Sequence, residues 1–299
     1  MIDIDKQPLV SIIIPTYKDR GHLKRAIDSV IRQTYSNLEI IVVDDNDPGD
    51  EWRNKTENLI STITDHRLKY IKHSKNKNGA AARNTGILNS SGDYIAFLDD
   101  DDWFFPRKIE KQIDYMRNNL QYDASYSQGE KNGHIIANNL KEGNLMCDIL
   151  MLRSYMYTPS LMFRKTSLQS LNGFDENFKR HQDYELLLRF FKLGFKIGAI
   201  QECLFAIGNN DGENMLSARR YEELKHYFFG KFGPYIHDID KTETNFKYKV
   251  YAIHYSGVFL SYLKERSYKD AVRIFNKYFW HSPAAFAKVL TNSIYHHLF

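Results

Sequence analysis

The chain has 299 residues, 42% of them apolar and 26% charged, enough to bury a sizeable core as one large domain or two. Its net charge of +4, from 41 Lys and Arg against 37 Asp and Glu, does not call for nucleic acid, although it allows weak attraction to phosphate or anionic lipid. Two cysteines, Cys147 and Cys203, exclude a disulfide framework. No apolar run approaches the roughly 20 residues needed to cross a bilayer, and residues 1–6 lack a secretory leader's pattern, so a cytoplasmic product is expected.

In chain order, Val10-Ser11-Ile12-Ile13-Ile14-Pro15 predicts a short buried strand stopped by proline. A helix follows, because Leu23, Ala26, Ile27, Val30 and Ile31 recur at three and four. Leu38 to Val43 is near-continuously apolar and β-branched, as buried parallel strands are. Asp44-Asp45-Asn46-Asp47-Pro48-Gly49-Asp50 then reads as a polar turn. Its first two carboxylates also suit the imide N–H of a base such as uracil. Trp52 to Ile63 predicts a helix and Leu68 to Ile71 a strand. Residues 76–79 lead into a small-residue helix over 80–89, whose first amides suit an anion. Arg83 there reaches a base or a phosphate, or is simply a surface residue.

Tyr94 to Leu98 is the fourth strand, and Asp99, Asp100, Asp101 and Asp102 follow it directly. Each of four adjacent carboxylates raises the cost of ionising the next. A hard divalent cation relieves that repulsion, because Mg²⁺ and Mn²⁺ prefer carboxylate oxygen and share phosphate ligands. One such acid can instead cap the next helix, with Pro106 in its first turn. Strand–helix alternation implies an α/β fold, a doubly wound, mainly parallel sheet, with the ligand site at the carboxyl ends of its strands. After about residue 120 the pattern changes. Shorter mixed strands are expected at 122–126, 135–136 and 160–163, a helix over 184–191 with Gly194 as C-cap, and edge strands at 196–200 and 204–207. From about 215 the chain reads as aromatic helices, ending in one that starts at Ser282-Pro283 with Phe286, Val289, Leu290 and Ile294 on one face.

Five motifs in order give the chain a resemblance to the family 2 glycosyltransferases. They are Val10 to Tyr17, Glu39 to Asp45, Gly79 with Ala82 to Ile87, Gly92 to Asp102, and Gly173-Phe174-Asp175-Glu176 with Gln182 to Leu186. The likeness is strong over 8–120, looser over 155–207 and not seen after about 215. It implies the GT-A fold and three segments: a nucleotide-sugar-binding half at 1–120, an acceptor-binding half at 121–214 and a helical extension at 215–299. At matched positions it implies that Pro15, Thr16, Tyr17, Asp44 and Arg83 cradle the nucleotide base, with Asp99 at the ribose and Asp100 beside it. Asp101, and next Asp102, would hold Mn²⁺ or Mg²⁺ at the diphosphate. Asp183 would be the base of an inverting transfer; read without the likeness, it is an acid favoured by a helix dipole. Two positions depart from the pattern. Gln182 stands where the family often has Glu, and the 208–214 loop lacks a cation near the diphosphate.

The expected function is therefore metal-dependent transfer of a sugar from a nucleotide-sugar donor, a UDP-sugar above others, to a glycan or lipid-linked glycan in surface polysaccharide synthesis. The alternative is a non-catalytic sugar-nucleotide-binding subunit. A nucleotidyltransferase is disfavoured, because the loop at 15–21 holds one glycine. The extension packs on the catalytic part, forms a homodimer or rests on a membrane surface.

Overall fold

The computed structural model describes residues 7–136, 140–178, 180–208 and 216–298, with side chains to 290. The residues read for a leader, the loop at 209–214 and the side chain of Ile294 lie outside the described residues. The chain divides into two compact units, Met1–Ile149 with Ser154–Asn210, and Leu150–Arg153 with Asp211–Phe299.

The first unit is built on strands β1 (Val10–Thr16), β2 (Leu38–Asp44), β3 (Leu68–Lys72) and β4 (Tyr94–Phe97), joined by helices α1 (Leu23–Ile31), α2 (Glu51–Ser61) and α3 (Gly79–Leu88). All four strands are parallel, in the order β3-β2-β1-β4. β1 and β2 run apolar without alternation because both faces are covered. Small residues set how closely α3 lies on the sheet: a Cβ on Gly86 would stand 2.4 Å from the Ile13 side chain.

Beyond β4 the chain adds β5 (Trp103–Phe104), α4 (Lys108–Asn118), β6 (Ala124–Lys131), β7 (His134–Ile135), α5 (Met146–Leu150), β8 (Met162–Arg164), α6 (Lys165–Ser170), α7 (Gln182–Lys192) and β9 (Ile197–Ile207). The sheet continues β4-β8-β6-β9-β5, with β7 paired to β6. It turns antiparallel at β8, so the sheet is mixed in this half.

Some elements differ from the sequence reading. Pro106 lies before the first turn of α4 rather than in it. The two edge strands expected at 196–200 and 204–207 are one strand, β9, flanked by β6 and β5. Gln201 and Glu202 read as a break because they are polar, but they face solvent along an unbroken strand. Register shifts at Gln128 absorb the mismatch. Gly129 opposite leaves room for Phe205, whose ring would lie 2.3 Å from a Cβ there.

The second unit holds α8 (Ala218–Asp240), α9 (Phe246–Lys264), α10 (Tyr268–Tyr278) and α11 (Pro283–Leu298). Its core is aromatic. Tyr255 and Tyr278 stack with centroids 3.6 Å apart, and Phe229 stacks on Tyr251 at 4.1 Å. Phe228, Val250, Ile274 and Phe286 are buried with them. Among the described residues no helix is long and apolar enough to cross a membrane.

Candidate active site

Parallel register brings the polar loops to one edge. Thr16 is paired with Asp44, and Ile13 with Phe97. Three residues beyond that last pair, Thr16 meets Asp100, its Oγ1 donating to Asp100 Oδ2 over 2.6 Å. Pro15 precedes it in β1. Tyr17 follows with its ring exposed, and Lys18 Nζ lies 5.1 Å from the ring centroid.

Asp44 and Asp45 hold the loops in place. Asp44 is fully buried. Its Oδ1 accepts from the backbone and side-chain nitrogens of Asn46 (2.9 and 2.8 Å), and its Oδ2 pairs with Arg53 at 3.1 Å and accepts from the Tyr70 hydroxyl. A base N–H seeking Asp44 has to displace one of these donors. Asp45 gathers the loop before α3: Oδ1 meets His73 Nδ1 (2.7 Å) and Lys77 N–H (2.8 Å), while Oδ2 accepts from Asn76 Nδ2 and Asn78 N–H (both 2.9 Å). His73 Nε2 in turn meets Thr85 Oγ1 at 2.8 Å. The helix amides expected to meet an anion are taken, because Asn78 Oδ1 accepts from Ala80 and Ala81.

The acidic run serves several partners. Asp99 pairs with Arg83, Asp100 with Thr16, and Asp102 Oδ1 accepts from Gly208 N–H at 2.9 Å. The Asp101 carbonyl accepts from Arg25 Nη2, and the Arg25 guanidinium lies 4.0 Å over the Trp103 ring. Gly208 packs so closely on this turn that a Cβ would stand 2.0 Å from the Asp101 oxygen. Burial, with the field of its neighbouring acids, pushes Asp100 up to about 7 and Asp102 up to about 8. Among the described residues no three His, Cys, Asp or Glu side chains form a ready-made metal cage. The oxygen-only, mutually repelling donor set still suits Mg²⁺ or Mn²⁺, which commonly bind through one or two carboxylates plus substrate phosphates.

Arg83 is the centre of the arrangement. Its Nη2 donates to Asp99 Oδ1 (2.5 Å), its Nη1 to Gln182 Oε1 (2.8 Å), and its guanidinium lies 5.6 Å from the Phe174 ring. One side chain thus spans from the end of β4 to the first turn of α7, where Asp183 sits. Burial raises the Asp183 carboxyl above the ordinary range; the Tyr184 N–H and Arg83 pull it down, and Asp99 pushes it up. The structure therefore joins Thr16 to Asp100, and Asp99 to Arg83 to Gln182, and leaves Asp44 beneath its own loop. Arg25, His73 and Gln182's tie to Arg83 were not read from the sequence. Only an arginine one helical turn from Gly21, on the polar face of α1, hinted at the first.

The sequence profile of Glycosyl transferase family 2 matches residues 11–198. The uncharacterized glycosyltransferase MJ1057 of Methanocaldococcus jannaschii is 32% identical over 76% of this chain and 79% of its own length. The UDP-Glc:alpha-D-GlcNAc-diphosphoundecaprenol beta-1,3-glucosyltransferase WfgD of Escherichia coli is 31% identical, covering 73% of this chain and 83% of its own. An uncharacterized glycosyltransferase of Rickettsia bellii is 33% identical over 62% of this chain, but the match spans 28% of that protein's length. Among solved structures, the mannosyltransferase PcManGT of Pyrobaculum calidifontis, in complex with GDP-Man and Mn²⁺, aligns over 99% of this chain and 82% of its own, with a TM-score of 0.62 at 15% identity. TarS 1–349 of S. aureus with UDP-GlcNAc aligns over 84% of this chain and 83% of its own, with a TM-score of 0.59 at 14% identity. These two likenesses bear on the fold, which is GT-A.

Proposed function

The chain belongs to glycosyl transferase family 2, and from that premise we propose that it moves a sugar from a UDP-sugar to a hydroxyl of a glycan acceptor, with inversion at the anomeric carbon. The observation that carries this reading is the Arg83 bridge, which ties the acid at the end of β4 to the helix turn bearing Asp183. It holds donor-side and acceptor-side groups in one fixed relation.

In the proposed reaction the exposed Tyr17 ring stacks on the base, and Asp99 and Asp100 face the ribose, their positions set by Arg83 and Thr16. Asp183, whose raised carboxyl is a better base than an ordinary aspartate, takes the proton of the acceptor hydroxyl. The acceptor oxygen bonds to the anomeric carbon as the bond to the β-phosphate oxygen breaks, and the electron pair leaves with the nucleoside diphosphate. Asp101, with Asp102 next to it, would hold a Mn²⁺ or Mg²⁺ ion, whose chemistry when bound is to neutralise charge on the departing diphosphate. Arg25, against the Asp101 carbonyl, adds a positive charge beside the acidic run. An acceptor growing on a lipid carrier, in surface polysaccharide synthesis, is part of the same proposal. It is supported by what WfgD is named for.

The test is turnover of a panel of nucleotide sugars with wild type and Asp183→Asn. The variant is expected to bind UDP as wild type does and to lose transfer roughly 10²–10⁴-fold. Transfer at the wild-type rate, or loss of UDP binding alone, would refute the assignment of the base.

A further inference from the structure

The segment just before β8 has an alternation that no sheet explains. Ser154, Met156 and Thr158 are buried, whereas Tyr155 is 52% and Tyr157 is 38% exposed. Tyr157 is extended, with φ −70° and ψ 144°, yet residues 154–157 pair with no strand. Met156 is buried between them in sequence, and the residues to either side of it, Tyr155 and Tyr157, are exposed. Two large rings so close together and facing water offer an aromatic stacking surface.

Their position points to what stacks there. The Tyr155 ring lies 6.5 Å from that of Tyr184, and the His181 ring stands edge-on to Tyr184 at 6.4 Å. His181 itself takes a left-handed conformation (φ 55°) just before α7, leaving its side chain exposed beside Asp183. Burial, and after it the field of the Asp183 carboxylate, raises the Tyr157 hydroxyl. Tyr155 therefore lies beside the ring that follows Asp183 in the chain, and the Tyr157 hydroxyl lies within the field of the Asp183 carboxylate.

We propose that Tyr155 and Tyr157 are the acceptor platform: two neighbouring sugars of a glycan chain stack on the two rings and present the terminal hydroxyl to Asp183. This rests on the transferase reading above. The apolar face of a pyranose covers an aromatic ring while its hydroxyls remain free for the phenol oxygens and water. Side chains at i and i+2 of an extended chain stand about 6.6 Å apart, so a single sugar leaves one ring uncovered and a chain of two or more covers both. The platform thus selects an oligosaccharide end over a free monosaccharide.

The test uses the full chain with Mn²⁺ and the UDP-sugar it turns over. The probes are methyl β-glycosides of one, two and three units of glucose or of N-acetylglucosamine. The wild type is expected to show a KM about tenfold lower for the two-unit than for the one-unit acceptor. Tyr155→Ala and Tyr157→Ala each erase that advantage, and the double Phe variant keeps it. UDP affinity, measured by titration calorimetry, stays the same in all of them, which also shows that the variants fold. Equal KM for one and two units in wild type, an advantage that survives both alanines, or no transfer to any of these saccharides by a protein that binds UDP would overturn the platform. A wild type that binds no nucleotide sugar would instead overturn the transferase reading itself.

Discussion

Arg83→Met removes the guanidinium and keeps most of the stem, so it isolates the bridge. Arg83 is 11% exposed and its partner Asp99 is 32% exposed. A charge-assisted hydrogen bond contributes about 1.5–3 kcal/mol, and Asp99 can recover part of that from water, which puts the loss near the lower figure. The lost Gln182 contact, also made by the charged guanidinium, adds about 1.5 kcal/mol, for a total of about 3 kcal/mol, read as a lower urea midpoint. The catalytic consequence has a definite sign. Arg83 favours the charged form of Asp183, so its removal raises that carboxyl further. The acid limb of the pH profile of kcat/KM then moves to higher pH, and rate is lost mainly on the acid side. Gln182→Glu moves the limb the same way with little loss of stability, because it adds a carboxylate that repels Asp183 and competes for Arg83. Gln182→Met removes a hydrogen bond but no charge and leaves the limb near its place. An acid limb that stays put in Arg83→Met while stability falls would reduce Arg83 to a strut and refute the electrostatic role.

Mn²⁺ affinity of the free protein is expected to rise steeply between pH 6 and 8, because the cation has to displace the proton held by Asp102; calorimetry in two buffers of different ionisation enthalpy would count it, and a flat profile with no proton release counts against it. Gly208→Ala is expected to cut turnover at least tenfold, since its Cβ would stand 2.0 Å from the Asp101 carbonyl oxygen and push the acidic turn aside; unchanged Mn²⁺ affinity and turnover would show that the turn yields freely. Lys108 is fully buried, over the Phe104 ring and beside Gln112 Oε1, and burial lowers it to about 7. Below that pH both folded and unfolded chains carry the charge and the folded state bears the full burial cost; from about 7 up to the ordinary lysine range the unfolded chain holds the extra proton, so stability climbs with pH by up to about 1.4 kcal/mol per unit. Lys108→Met is expected to flatten that slope in urea midpoints followed from pH 6 to 10, and a slope that persists would place the titration elsewhere.

What the sequence made legible follows from where the physics is local. β1, β2 and β4 are covered on both faces, so their continuous apolar runs could be read at once, and register then carried Thr16 to Asp100 without further information. The turn at Asn132-Gly133 was equally local: both residues take positive φ, as a two-residue hairpin demands. That turn starts β7 at His134, so the strand is His134–Ile135 and not the 135–136 that the apolar pair alone predicts. β9 was split because a solvent-facing polar pair and a turn have the same composition. The tie from Arg83 to Gln182 spans 99 positions and obeys no period. Only packing α3 and α7 at one sheet edge reveals it, and it changes the meaning of Gln182. A missing charge beside the base becomes a neutral acceptor that steadies Arg83 without cancelling it.

The acidic run shows the same limit more sharply. Four adjacent aspartates look like one feature, yet a turn sends consecutive side chains in different directions. Asp99 reaches α3, Asp100 reaches β1, and Asp102 turns inward to the end of β9. Repulsion between them remains, since it acts through space, and it adds to the burial that pushes Asp100 up to about 7 and Asp102 up to about 8. A cage does not follow, because a cage needs their oxygens to converge. A cation at Asp101 then needs ligands from outside the protein, and a diphosphate is the natural source. Metal and nucleotide are therefore expected to bind as a pair, each tightening the other by the same factor. Mn²⁺ affinity that is equal with and without UDP would mean that the protein alone completes the site.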